Sequence, residues 1–246
     1  MRVGCLGLLA ALDRAHDYRQ ACRHLREHPA LLKTARSEYA RLGRMCRSET
    51  SVWPGLPAAG ADEVGRGPLA GPLVAAAVAF GERPWIPWLK DSKKLKPEER
   101  EELCEWVKER ALAFAIGVVS VEEINDGNLH FLSLEAMRRA LEQLPLTLGV
   151  VLIDGKYTIP AFSTPQQALI KGDDKSVCIA AASILAKVTR DRMMVELEER
   201  YPGYGLAEHK GYATEFHMEA LRRLGPSPVH RFSFAPVREA SQGLLF

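Results

Sequence analysis

Gly60-Ala61-Asp62-Glu63-Val64-Gly65-Arg66-Gly67-Pro68-Leu69-Ala70-Gly71-Pro72 places two adjacent carboxylates, Asp62 and Glu63, at the end of an apolar step. A glycine-flanked arginine follows at once. Adjacent side chains of a strand point to opposite faces, so an Asp-Glu pair inside a strand gives one carboxylate to solvent. Gly65, Gly67 and Pro68 predict a turn directly afterwards. With the strand ending there, both carboxylates are expected to converge on one divalent cation, beside a glycine backbone open to an approaching ligand. Hard oxygen ligands next to exposed amides and an arginine point to metal-assisted chemistry on a phosphate.

Working outward, residues 72–80 (PLVAAAVAF) read as a strand forming a hairpin with the one that ends at Glu63. Residues 113–121 read as a third strand. Val150-Val151-Leu152-Ile153 is a short β-branched run, as in a strand buried on both faces, and it ends in Asp154. A carboxylate there lies where open α/β sheets bind ligands. Ala168-Leu169-Ile170 runs into Lys171-Gly172-Asp173-Asp174-Lys175-Ser176 and a long helix to 200. Further helices are expected over 97–112, with proline first and acids in the first turn, and over 130–144. Together these predict an α/β fold: a five-stranded mixed sheet with helices on both faces. Residues 205–238 read as a small turn-rich layer with one helix, over 214–224.

Residues 1–50 differ in character. They are helix-patterned, and basic residues outnumber acidic ones about two to one. Pro29 is read as separating two helices, the second over 31–46, and Trp53-Pro54-Gly55 as a linker. The expected organisation is a helical extension and linker over 1–56, a catalytic domain over 57–204, and a C-terminal layer and tail over 205–246. The extension is read as an amphipathic hairpin packed on the main domain, with a contact to nucleic-acid phosphates as the alternative. The chain of 246 residues has a formal net charge of only +2, so any nucleic-acid surface must be local. Its five cysteines (Cys5, Cys22, Cys46, Cys104, Cys178) are scattered and never spaced as CxxC, which argues against a disulfide framework or zinc site and fits a reducing cytoplasm. The start, MRVGCLGLLAAL, has one positive charge and a short apolar run but no small-residue cleavage site, and is read as the first turns of a cytoplasmic helix. No run reaches the ~20 apolar residues a membrane helix needs.

Seven stretches carry a resemblance: GADEVGRGPLAGP, DSKKL at 91–95, LIDGK at 152–156, KGDDKS, AAASILAKVTRD at 180–191, HKGYAT at 209–214 and HRFSF at 230–234. In this order they resemble bacterial ribonuclease HII over residues 58–238. That resemblance implies a ribonuclease H-like fold. It also implies a metal-dependent endoribonuclease that cleaves the RNA strand of RNA–DNA hybrids and incises duplex DNA 5′ to a single embedded ribonucleotide, leaving 5′-phosphate and 3′-hydroxyl ends. Ribonuclease HIII is the alternative within the superfamily; its equivalent loop lacks the arginine, so Arg66 favours HII. An alternative of another class is a nucleic-acid binder that has lost turnover, which four clustered acids argue against.

The resemblance assigns Asp62, Glu63, Asp154 and Asp173 as catalytic metal ligands for two Mn²⁺ or Mg²⁺ ions, with Asp62 shared, Glu63 and Asp154 on one ion and Asp173 on the other. It implies that Gly65, Arg66 and Gly67 meet the sugar and that Tyr212 senses the junction. Lys93, Lys171, Lys187 and Lys210 are candidate phosphate contacts. Asp174 is read as solvated, Asp191 as structural, Ser183 and Thr189 as packing residues, and His230-Arg231 as ordering the C-terminal layer. The last five residues, Gln242-Gly243-Leu244-Leu245-Phe246, resemble the peptide by which replication proteins bind the sliding clamp. A monomer without membrane contact is expected.

Overall fold

The computed structural model describes residues 18–53 and 55–242. The readings of the apolar start, of Cys5, of Pro54 and of the last four residues fall outside them. Two helices open the described chain: α1 (Tyr18–His24) and α2 (Pro29–Met45), the latter with its proline in the first turn, where the missing N–H costs nothing. Five strands follow, interleaved with helices: β1 (Ala58–Val64), β2 (Leu73–Phe80), β3 (Ala113–Val119), β4 (Val150–Asp154) and β5 (Gln166–Leu169). They form one sheet in the order β3-β2-β1-β4-β5, antiparallel from β3 to β1 and parallel from β1 to β5. The expected mixed sheet is therefore present.

Its two faces follow from the period of two. Ala76, Val78 and Phe80 of β2, with Ala58 of β1, pack on a helix α6 (Val177–Arg200). Ala75, Ala77 and Ala79, with Ala59 and Ala61, pack on α5 (Leu129–Glu142). All eight residues of β2 are buried, which explains a strand without polar alternation. Small residues let the helices approach: a Cβ at Gly60 would strike the backbone of Cys178 and Ile179, and one at Gly117 the backbone of Ala136. Filling either contact would force a whole helix outward, at about 1–3 kcal/mol or more. The α6 face also carries α3 (Pro97–Arg110), α1 and α2, and Ala21, Ala35 and Leu42 of the latter two, with Leu25 of the turn between them, are buried in the same apolar cluster as the sheet.

Between α2 and β1, a turn of 3-10 helix (Glu49–Ser51) buries Glu49 completely. Its Oε1 accepts a hydrogen bond from the Ser176 hydroxyl at 2.6 Å, and burial pushes the carboxyl pKa up. The extension is thereby fixed to the cap of α6.

Two expectations are corrected. The third strand stops at Val119, because Ser120 starts a short helix α4 (Val121–Asp126) through a capping box: Glu123 N–H donates to Ser120 Oγ at 3.3 Å and Ser120 N–H to Glu123 Oε2 at 2.8 Å. The C-terminal layer holds three helices rather than one, α7 (Leu206–His209), α8 (Glu215–Leu224) and α9 (Ala235–Gln242). Leu69, Ala70, Met194, Tyr204, Leu206, Leu221 and Val237 join this layer to the loop after β1. The four described cysteines are free thiols. Among the described residues no helix is long and apolar enough to cross a membrane.

Candidate active site

The acids come from three places. β1 pairs with β2 through Asp62, Glu63 and Val64, so the strand does not stop at Glu63 as expected. The turn begins only at Gly65, whose φ of +99° suits glycine alone. Asp62 and Glu63 therefore obey strand alternation. Asp62 falls on the α6 side, near Ser183, and Glu63 on the α5 side, where it lines a cavity of about 310 Å³ with Asp154, Arg66, His130 and Tyr157. β4 runs parallel to β1, in register from Ala58–Val150 to Ala61–Ile153, so Asp154 ends the neighbouring strand beside Asp62. Asp154 Oδ1 accepts from Gly172 N–H at 2.7 Å, which fixes the following 3-10 turn (Gly172–Asp174) and so Asp173 against β4.

The carboxyls sense one another. Burial, then the charges of Glu63, Asp154 and Asp173, push Asp62 well above the carboxylate range, opposed by the nearby Ser183 hydroxyl. Glu63 is pushed up to about 7 by burial, opposed by the Arg66 guanidinium 3.7 Å away and by the charge of Lys93. Asp173 is pushed up to about 6 by burial and by Asp91, Asp154 and Asp174. Among the described residues no three acidic, histidine or cysteine side chains are gathered closely enough to enclose a metal ion.

The glycine-arginine loop is held from behind. Leu69 N–H donates to the Gly211 carbonyl at 2.8 Å, Gly71 N–H to Val229 at 2.9 Å, and Arg231 N–H to Leu69 at 2.8 Å. Two fully buried arginines complete the clamp. Arg190 donates to the carbonyls of Pro72 (3.0 Å), Ala70 (3.1 Å) and Lys210 (2.9 Å). Arg231 donates to the carbonyls of Gly71 (2.7 and 2.9 Å) and Arg66 (3.2 Å). Burial lowers their pKa values to about 10 and about 9, so both stay charged at neutral pH. The clamp brings the loop to Tyr212: its Cε1 would lie 3.7 Å from a Cβ at Gly67, and the ring is 45% exposed.

The lysines divide. Lys93 and Lys171 are exposed, Lys171 at a left-handed φ of +56° just before Asp173. Lys187 is paired with Asp191 at 2.6 Å, and Arg100 reaches the same carboxylate at 3.7 Å. Lys210 Nζ donates to the Ala207 carbonyl at 2.6 Å. Asp174 is exposed and paired with Lys94 at 2.7 Å, as its solvated reading expects. The Ser183 hydroxyl lies 3.0 Å from Ser92 Oγ, and its presence beside Asp62 favours the charged carboxylate. Sequence reasoning missed Asp91, a fifth acid facing Asp173, although the DSKKL stretch that holds it was in view. It also missed Arg190, whose partners are carbonyls distant in sequence.

A mixed sheet of this order, with acids at the ends of its central parallel strands and a basic glycine loop beside them, defines a nuclease of the ribonuclease H-like class. The family model for ribonuclease HII matches residues 59–237. A ribonuclease HII of Myxococcus xanthus (strain DK1622) is 48% identical over 242 residues, covering 95% of this chain and 80% of that protein. The chain belongs to the ribonuclease HII family and is a hydrolytic endoribonuclease. Among solved structures, the ribonuclease H2 of Pyrococcus horikoshii OT3 superposes with a TM-score of 0.66 at 27% identity, over 76% of this chain and 98% of that one. The ribonuclease HII of Archaeoglobus fulgidus, in a complex with PCNA, gives 0.61 at 28% identity, over 73% and 95%.

Proposed function

We propose that this enzyme cleaves the RNA strand of RNA–DNA hybrids and incises duplex DNA 5′ to a single embedded ribonucleotide, leaving 5′-phosphate and 3′-hydroxyl ends. The observation that carries the reading is the meeting of the acid cluster with the Gly65-Arg66-Gly67 loop and Tyr212 on one surface. A nuclease that finds one ribonucleotide in DNA has only the 2′-hydroxyl to read. Gly67 leaves the backbone bare beside the Tyr212 ring, so peptide groups and the phenol can reach the same sugar. Arg66, half exposed, and Lys93 supply positive charge next to the acids, where the scissile phosphate would lie.

The donor chemistry suits divalent cations of the Mg²⁺ or Mn²⁺ kind: all-oxygen ligands whose proton affinity is raised by burial first and by neighbouring carboxylates second, at Asp62, Glu63 and Asp173. Asp62 would be shared, Glu63 and Asp154 would hold one ion, and Asp173 the other. Ions held there would supply an activated water and stabilise the charge that builds on the phosphate. The chain's own residues do the rest. The Arg190 and Arg231 clamp sets the loop against Tyr212, the Asp154 carboxylate holds the Asp173 turn, and Ser183 favours the charged form of Asp62. The catalytic unit would be residues 57–204, flanked by the extension and the C-terminal layer. The tail from Gln242 to the terminal phenylalanine would dock on a sliding clamp; equal binding of the clamp by the full chain and by one lacking the last five residues would remove that part.

The test is incision of a labelled DNA duplex carrying one ribonucleotide, with Mg²⁺, Mn²⁺ or chelator. One cut 5′ to the ribonucleotide, lost with chelator, is expected. Cleavage of a long hybrid without that cut would move the specificity towards the HIII type and remove the role given to Tyr212.

A further inference from the structure

Behind Tyr212 lie histidines that the acid cluster does not use. His217 and His230 are fully buried, and His209 stacks on His217 with ring centres 4.4 Å apart. The hydrogen bonds fix which nitrogen carries each proton. Ser227 N–H donates to His230 Nδ1 at 3.0 Å, and the Ser227 hydroxyl lies 2.8 Å from the same nitrogen. Nδ1 is thus an acceptor, and the single proton of neutral His230 sits on Nε2. That proton faces His217 Nε2 at 3.0 Å. His217 must then carry its own proton on Nδ1, which donates to the Tyr212 carbonyl at 2.9 Å. Thr214 N–H donates to the same carbonyl at 2.8 Å. Burial depresses both imidazole pKa values, His230 to about 4, so the neutral forms persist at neutral pH. A proton added to either ring would set two N–H donors face to face.

The far end of this chain lies on the same segment as the loop clamp. His230 pairs with Ala70 across an antiparallel bridge, between the two backbone hydrogen bonds that tie Gly71 to Val229 and Arg231 to Leu69. One end of the histidine pair is therefore anchored to the loop that carries Gly67, and the other holds the backbone of Tyr212. We infer that His230 and His217 are positioning residues that set the Tyr212 ring at its distance from Gly67, and so control discrimination at a single ribonucleotide. The inference rests on the sensing role proposed for Tyr212.

Its test uses the full chain with Tyr212→Ala, His217→Leu and His217→Gln, comparing single-ribonucleotide incision with hybrid cleavage. Glutamine can donate to the Tyr212 carbonyl and accept from His230; leucine can do neither. His217→Leu is expected to lower the single-ribonucleotide kcat about tenfold, the factor one lost hydrogen bond is worth, with KM little changed. His217→Gln is expected to restore most of it. In a Tyr212→Ala background, His217→Leu should bring no further loss. If Tyr212→Ala itself leaves incision intact, the sensing role falls and the inference with it. If Tyr212→Ala reduces incision while a folded His217→Leu does not, the positioning role alone is overturned. Should His217→Leu fail to fold, long-range ¹H–¹⁵N spectra of the unaltered enzyme decide: protons on His230 Nε2 and His217 Nδ1 are expected, and the reverse tautomers would overturn the relay.

Discussion

Replacing Arg190 with methionine tests whether the glycine-arginine loop is held from inside the protein. The substitution keeps the volume of the stem and removes three donors, to Pro72, Ala70 and Lys210. Relief from burying a charge offsets part of the loss, but three carbonyls are left without partners, at about 1–3 kcal/mol each when buried. Ala70 is fully buried, whereas Pro72 and Lys210 are partly exposed and can recruit water. The net cost should be about 3–5 kcal/mol, the range for breaking a buried charged network. In a domain of this size that lowers the melting temperature by roughly 6–20 °C. Urea unfolding at neutral pH measures it directly, with Arg192→Met as the control. Arg192 lies on the same helix but is half exposed, and its pairing with Glu101 is worth at most ~1 kcal/mol. A loss below about 1 kcal/mol for Arg190→Met would refute the clamp, since the orphaned carbonyls would then cost nothing.

Three further outcomes are expected. Gly65→Ala combines a φ of +99° with a Cβ that meets the Arg190 side chain and lies 2.9 Å from the Pro72 carbonyl, so thermal melting should show a loss of about 2 kcal/mol or more. Gly67→Ala has room for its methyl, so stability should change by less than about 1 kcal/mol while incision falls, because the methyl covers the backbone offered to the sugar. His230 has a folded pKa of about 4 against an ordinary 6.5, so the folded state binds fewer protons between those values and loses stability as pH falls through them. The gap in unfolding free energy between the natural enzyme and His230→Gln should narrow by about 3 kcal/mol from pH 7 to pH 4. The raised pKa values of Glu63 and Asp173 act in the opposite sense and cancel in that difference.

The sheet and the positions of its acids were legible because three of its apolar segments run into acids (Asp62-Glu63, Asp154 and Asp173), and the short β-branched run of β4 has few other readings. The short helix after β3 was hidden for a local reason. Val118-Val119-Ser120-Val121 continues a β-branched pattern, and the capping signal from Ser120 to Glu123 was outweighed by it. β2 extends the pairing to Val64, so Asp62 and Glu63 keep the alternation of a strand, a tertiary fact that no local glycine announces. The pairing of Lys187, a candidate phosphate contact, with Asp191 is contained in their i, i+4 spacing on α6. Arg190 was the least legible. An arginine normally marks a solvated helix face, and only carbonyls brought together by folding make its burial favourable.

The most direct measurement is turnover and duplex binding by Asp62→Asn, which removes one carboxylate charge from the centre of the acid cluster while keeping its size. The account predicts incision reduced on the order of a thousandfold or more, with substrate affinity retained within about threefold, because the loop and Tyr212 are untouched. Turnover at the natural rate would contradict the assignment of the site to the acids of β1 and β4.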